Sequence, residues 1–165
     1  MKDVLWHQFG AAIDMLENAI HACPDEIWSD RSRKPEYWYL VYHTLFWLDL
    51  YLHGSREGFA PPAPYTLDEL DPQGLMPNRV YGKDEMLAYL DHGRSRCRAT
   101  IDALTDGRAA RRHPFRWQPT GLELLLYNMR HVQHHTAQLN LILRQRLDSA
   151  PDWVTQAKAP IGGAA

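Results

Sequence analysis

Thr120-Gly-Leu-Glu-Leu-Leu-Leu-Tyr-Asn-Met-Arg-His131-Val-Gln-His134-His135-Thr-Ala-Gln-Leu-Asn-Leu-Ile-Leu-Arg-Gln-Arg-Leu147 carries every mark of one long α-helix. Thr120 with Glu123 three residues later forms a capping-box pattern, in which hydroxyl and carboxylate satisfy backbone N–H groups at the helix start. Leu122, Leu125, Met129, Val132, Leu139 and Leu143 recur at helical spacing and make the main apolar stripe. A seam beside it holds Leu124, Asn128, His131, His135, Gln138 and Ile142. No proline interrupts the run, which would extend ~42 Å at ~1.5 Å per residue. His131 and His135 lie four apart, one above the other, and can aim their imidazoles at one point. His134 falls further round, near Tyr127 and Arg130, and is expected outside.

Three more segments upstream show the same periodicity, and none alternates as a half-buried strand would. The first runs from about Asp3, as N-cap, to His21, with Leu5, Phe9, Ile13, Leu16 and Ile20 in a stripe. Pro24-Asp25-Glu26 breaks it. The second begins near Pro35 and ends near His53-Gly54, and from Tyr37 to Leu52 it is apolar or aromatic nearly all round. That pattern suits a helix buried by neighbours, since sixteen such residues with two ionisable groups fall short of the ~20 a membrane span needs. The third runs from about Lys83 to Leu104. Residues 55–81 hold five prolines and read as a long connection with room for one turn at Thr66 to Leu70. Residues 105–119 read as loop. The expected fold is all-α: a four-helix bundle with long inter-helix connections, one domain over residues 1–150, and a tail over 151–165 in which Trp153 packs back onto the body.

Composition narrows the function classes. The chain has 165 residues, 45% of them hydrophobic and 23% charged, which is ordinary for a folded domain. A formal charge of −2 supplies no drive toward nucleic acid or an anionic membrane. Two distant cysteines, Cys23 and Cys97, build neither a zinc motif nor a disulfide framework, and a charged start is no signal peptide, so a reducing cytoplasm is expected. What stands out is nine histidines and six tryptophans.

A third imidazole to join His131 and His135 is best supplied by His43, inside the most hydrophobic helix, where a charged ring would be costly and a neutral one is expected. Three neutral imidazoles from two helices make a facial site for Zn²⁺, Ni²⁺, Fe²⁺ or Cu²⁺ with positions left for water or substrate. Each feature has an ordinary counterpart: a single helical histidine is commonly hydrogen-bonded or exposed, and the pair lacks the glutamate of HExxH.

At these residues the chain resembles the DinB/YfiT-like family of metalloenzymes. The likeness rests on Tyr42-His43-Thr44 in an aromatic second helix, on His131-x-x-x-His135-Thr-Ala-Gln138 in the last, and on Tyr81-Gly-Lys-Asp-Glu-Met-Leu-Ala-Tyr-Leu leading into the third. It spans about residues 1–147. The resemblance implies that His43, His131 and His135 are the three metal ligands, that Zn or Ni (or Fe) is bound, and that the protein is a homodimer. It implies a bundle of unusual connectivity, in which the 55–81 connection lets the second and third helices run parallel. It also implies a small-molecule substrate, since relatives include transferases and isomerases that use bacillithiol, mycothiol or glutathione. Thr136-Ala137 stands where the family more often has Arg-Gly, so the role of that arginine does not carry over. The expected function is a metal-dependent thiol S-transferase or hydrolase. The alternative is a non-catalytic metal-binding or dimeric bundle.

Other residues rank lower. Glu36 shares the face of His43 two turns away and is a weak acid/base candidate, with charge pairing at the helix start as its ordinary role. Gln138 can orient a ligand or substrate from one turn beyond His135. Asp49 points away from His43. Seven arginines between Arg94 and Arg116 read as a solvated face before an anion site. Cys23 and Cys97 read as packing, and Trp6, Trp28, Trp38 and Trp47 as core or dimer interface.

Overall fold

The computed structural model describes residues 1–158; the Pro160 to Ala165 tail lies outside the described residues. Six helices appear and no strand among the described residues, only an isolated bridge between Arg112 and Thr120. Four are long: α1 (Lys2–Ala22), α3 (Tyr37–His53), α4 (Lys83–Asp102) and α6 (Gly121–Leu147). Two are short: α2 (Asp25–Trp28) and α5 (Asp106–Ala110), in stretches whose sequence reads as break and loop. One or two helical turns hold too few residues to show a period, which is why both escape a periodicity reading.

The long helices close into a ring in which α4 and α6 each pack against both α1 and α3. Their directions follow from side-chain pairs. Trp38 and Tyr42 near the start of α3 meet Tyr81 just ahead of α4, while Asp49 further along meets Tyr89, so α3 and α4 are parallel. Asn128 donates to the Leu48 carbonyl and His135 faces His43, so α6 runs against α3. Lys2 bonds the Asp102 carbonyl and Arg94 bonds Asp14, so α1 runs against α4. The order is therefore up, down, down, up. A parallel α3–α4 pair obliges the chain to return the whole length of the bundle between them. Residues 54–82 make that return, and in doing so lay a strap, including a 3-10 turn at Asp68–Leu70, across α3.

The helix termini follow their residues. Thr120 Oγ1 accepts from the Glu123 N–H at 3.3 Å, and the Glu123 carboxylate accepts from the Thr120 N–H at 2.7 Å, the expected capping box. Gly54 ends α3 at φ +85°, a left-handed conformation that glycine adopts without a Cβ clash. At the start of α1 the expectation needs correction: Met1 is the N-cap, and Asp3 sits inside the first turn, favourable there for the helix dipole. Glu36 caps α3, so the helix expected to begin near Pro35 starts at Tyr37.

The core runs along the ring's axis, with Trp6, Phe9, Leu16, Trp38, Phe46 and Leu90 each at most 1% exposed. Each fully buried large apolar side chain contributes about 1.5–3 kcal/mol. The segment beyond α6 is tied to α1: the Ala157 N–H donates to the His7 carbonyl at 2.9 Å, and the Lys158 N–H to Asp14 at 2.8 Å. Trp153 itself, expected to pack back, stays 67% exposed. No described helix is long and apolar enough to cross a membrane.

Candidate metal centre

Where α3 and α6 cross antiparallel, His43 meets His131 and His135. Ring centroids stand 5.4 Å apart for His43–His131, 4.8 Å for His43–His135 and 4.5 Å for His131–His135. One nitrogen from each lies within 4.8 Å of the others, close enough for small ring rotations to bring all three onto one ion. All three rings are partly exposed, so the cluster opens to solvent on one side. His134 is exposed and outside the cluster, as its helical phase requires.

Two of the rings are held from behind. Glu69, in the strap's 3-10 turn, accepts from His43 Nδ1 at 2.7 Å and from Trp47 Nε1 at 2.9 Å. An ionised carboxylate only accepts, so His43 carries its proton on Nδ1 and keeps Nε2 free. Burial alone would raise the Glu69 pKa. Hydrogen bonds from His43 and Tyr39, with the imidazole's attraction and the Trp47 bond, outweigh it and hold the group below the usual carboxylate range. Gln138 Oε1 accepts from His135 Nδ1 at 2.7 Å, again leaving Nε2 free. The third ring differs: His131 Nδ1 is buried and has no hydrogen-bond partner among the described residues.

Electrostatics favour the neutral form of the two α6 rings. Burial, then repulsion from His135, His43 and His134, pushes His131 down to about 3. Burial also lowers His135, against the opposing pull of the Gln138 bond. Neutral imidazoles with unengaged lone pairs are the form that binds a divalent ion, and His₃ is an established donor set for such ions. The residues present fit a metal. Tyr39, Trp47 and Tyr51 wall the site, with the Tyr51 centroid 5.9 Å from that of His131.

A sequence profile matches residues 8–139, which include all three histidines of the cluster. The chain belongs to the DinB superfamily. No curated protein matches it in sequence.

Within this DinB-superfamily chain the lower-ranked candidates separate. Gln138 is at the site, on His135. Glu36 is not part of the histidine cluster: its carboxylate is buried and bonded to Lys34 and to Trp38 Nε1, with Arg31 at 3.5 Å. Burial opposes its charge, but these partners hold its pKa below the usual range, a charge-pairing role at the start of α3. Asp49 points away from the histidines, as expected, and pairs with Arg96 in the α3–α4 interface. The arginines are not one solvated face. Arg94 bonds Asp14 and Glu17 on α1, Arg96 bonds Asp49, and Arg98 stacks 4.9 Å over the Trp6 ring. Cys23 and Cys97 are buried, and desolvation raises both thiols, Cys23 to about 12, so neither is a thiolate at neutral pH. Glu69 was not singled out from the sequence. Its only sequence signal is a carboxylate in the one turn predicted inside a proline-rich connection, which does not say which helix that turn crosses.

Proposed function

We propose that this chain is a metal-dependent enzyme acting on a small molecule, with His43, His131 and His135 as ligands of Zn²⁺ or Ni²⁺, or of Fe²⁺. The reaction is transfer of a low-molecular-weight thiol to an electrophile, with hydrolysis as the other chemistry open to the same site. The observation that carries this is a cluster of three imidazoles that is open on one side yet braced from behind by Glu69 and Gln138. A structural site is closed by its fourth ligand, whereas an open position serves exchange with substrate. A divalent ion bound there supplies Lewis acidity that activates a thiol or water near neutral pH. The chain's own residues do the rest. Glu69 and Gln138 hold two rings in one tautomer and one orientation. Tyr39, Trp47 and Tyr51 give the open side an aromatic wall that excludes water from one flank of the substrate. Two buried free thiols suit the cytoplasm, and the exposed apolar side chains Leu141, Leu147 and Trp153 suit a second copy in a homodimer.

The test is elemental analysis of the untagged protein beside His131→Ala, followed by a screen of thiol-transfer and hydrolytic substrates. Near-stoichiometric metal in the wild type, lost in the variant, with turnover that tracks metal content, is the expected result. Metal that binds without any turnover supports the non-catalytic bundle instead. No metal after reconstitution with each ion overturns the reading.

A further inference from the structure

A second cavity, of about 460 Å³, lies between the C-terminal ends of α3 and α4 and the first turns of α6, beside α5. Of the residues around the histidines, only Tyr51 lines it. Its volume falls in the range of small-molecule sites. Its walls are apolar at Leu104, Leu124 and Leu125, and no carboxylate of the described residues lines it. Three arginines do. Arg96 is neutralised by Asp49, whereas Arg108 and Arg111, exposed at the rim, have no ion pair among the described residues.

Asn128 is 1% exposed and also lines the cavity. Its Nδ2 donates to the Leu48 carbonyl at 3.0 Å, but its Oδ1 is buried with no hydrogen-bond partner. Buried acceptors are nearly always paired, so a donor is missing from this spot. The cationic rim is also held in place. A Cβ on Gly121 would lie 2.3 Å from the Arg108 carbonyl oxygen, so only glycine lets α5 seat against the start of α6. His113 Nδ1 donates to the Gly54 carbonyl at 3.0 Å and ties the following loop to the end of α3.

We infer that this cavity binds a small apolar carboxylate bearing an N–H or O–H donor. The carboxylate pairs with Arg108 and Arg111, the apolar body lies against Leu104, Leu124 and Leu125, and the donor completes Asn128 Oδ1. Metal at the histidines is not required for it. The experiment is calorimetric titration of the full chain with N-acetyl-L-leucine, which has all three features, and with neutral N-acetyl-L-leucinamide. The acid is expected to bind saturably at about millimolar concentration or tighter, and the amide at least about tenfold more weakly. The double variant Arg108→Gln/Arg111→Gln, whose exposed side chains make no ion pair among the described residues and lose only the Arg108 bond to the Ala103 carbonyl, is expected to weaken the acid about tenfold or more with its thermal midpoint retained. His135→Ala, which disables the proposed metal centre, is expected to bind the acid as the wild type does. Equal binding of acid and amide, unchanged binding by the double variant, loss of binding in His135→Ala, or no saturable heat each overturns the assignment.

Discussion

Glu69 shows how much of the proposed metal centre lies behind its candidate ligands. It is not one of the three histidines, yet its carboxylate fixes the proton of His43 on Nδ1 and so decides which nitrogen is offered to the cluster. Glu69→Gln keeps the shape and removes the charge. A chelator competition titration should show metal affinity falling about 10- to 100-fold, with the helical content unchanged. An affinity equal to wild type would mean that Trp47 and packing alone orient the ring. His131 makes a prediction of its own. Its native pKa of about 3 lies below the ordinary 6.5, so between those values the unfolded chain takes up a proton that the native chain refuses. Metal-free protein must therefore lose stability as pH falls below about 6.5, and His135 acts in the same direction. Urea unfolding in the presence of a chelator should give a lower midpoint at about pH 5 than at about pH 7, above the range where most carboxylates titrate. His131→Asn should flatten that fall. An equally steep fall in the variant would place the proton uptake elsewhere.

At the scale of the element, α6 is the piece on which both histidines ride, and its start is set by a side chain. The reciprocal Thr120–Glu123 bonds satisfy backbone N–H groups that the helix itself leaves orphaned. Thr120→Ala should cost about 1 kcal/mol, within the span of ~0.5–2 kcal/mol for lost N-caps, read as a shift in the urea midpoint at constant slope. Metal affinity should be unchanged, because His131 lies three turns further along a helix that packing against α1 and α3 still holds. Loss of metal with the cap would show that the site depends on the whole length of α6. This element was legible from residues alone: the cap, the stripe and the histidine pair all sit within one run whose period is that of the helix.

At the scale of the molecule, the parallel pair α3 and α4 is fastened by a buried charge. Asp49 has a fully buried side chain and is neutralised by Arg96, with Tyr89 donating a bond at 3.3 Å. Arg96→Leu would leave that carboxylate with only Tyr89 and, at 3.4 Å, the His92 imidazole beside it. The expected loss is about 3 kcal/mol, the low end of values for breaking a buried pair, since the Arg96 side chain is itself 33% exposed. Denaturant unfolding measures it, and a loss below about 1 kcal/mol would show that Asp49 is satisfied by His92 or by protonation instead. The double variant Asp49→Asn/Arg96→Leu should recover part of the loss, because it leaves no unpaired charge behind.

The sequence by itself determined the helices long enough to show a period, the cap of α6, the inward phase of His131 and His135, and the outward phase of His134. Those properties are local: backbone geometry over a few turns settles them, and 3.6-residue spacing records them. Only the tertiary structure decided that the α3–α6 crossing sets His43 against that pair. It likewise decided that Glu69 braces His43 and that Arg94 and Arg96 bridge helices. Each of these is a contact between residues far apart in the chain, fixed by how apolar faces pack. The strap that delivers Glu69 has no repeating pattern because it has no regular structure. Its course is dictated by the need to carry the chain back along the bundle, and that need exists only once α3 and α4 lie parallel.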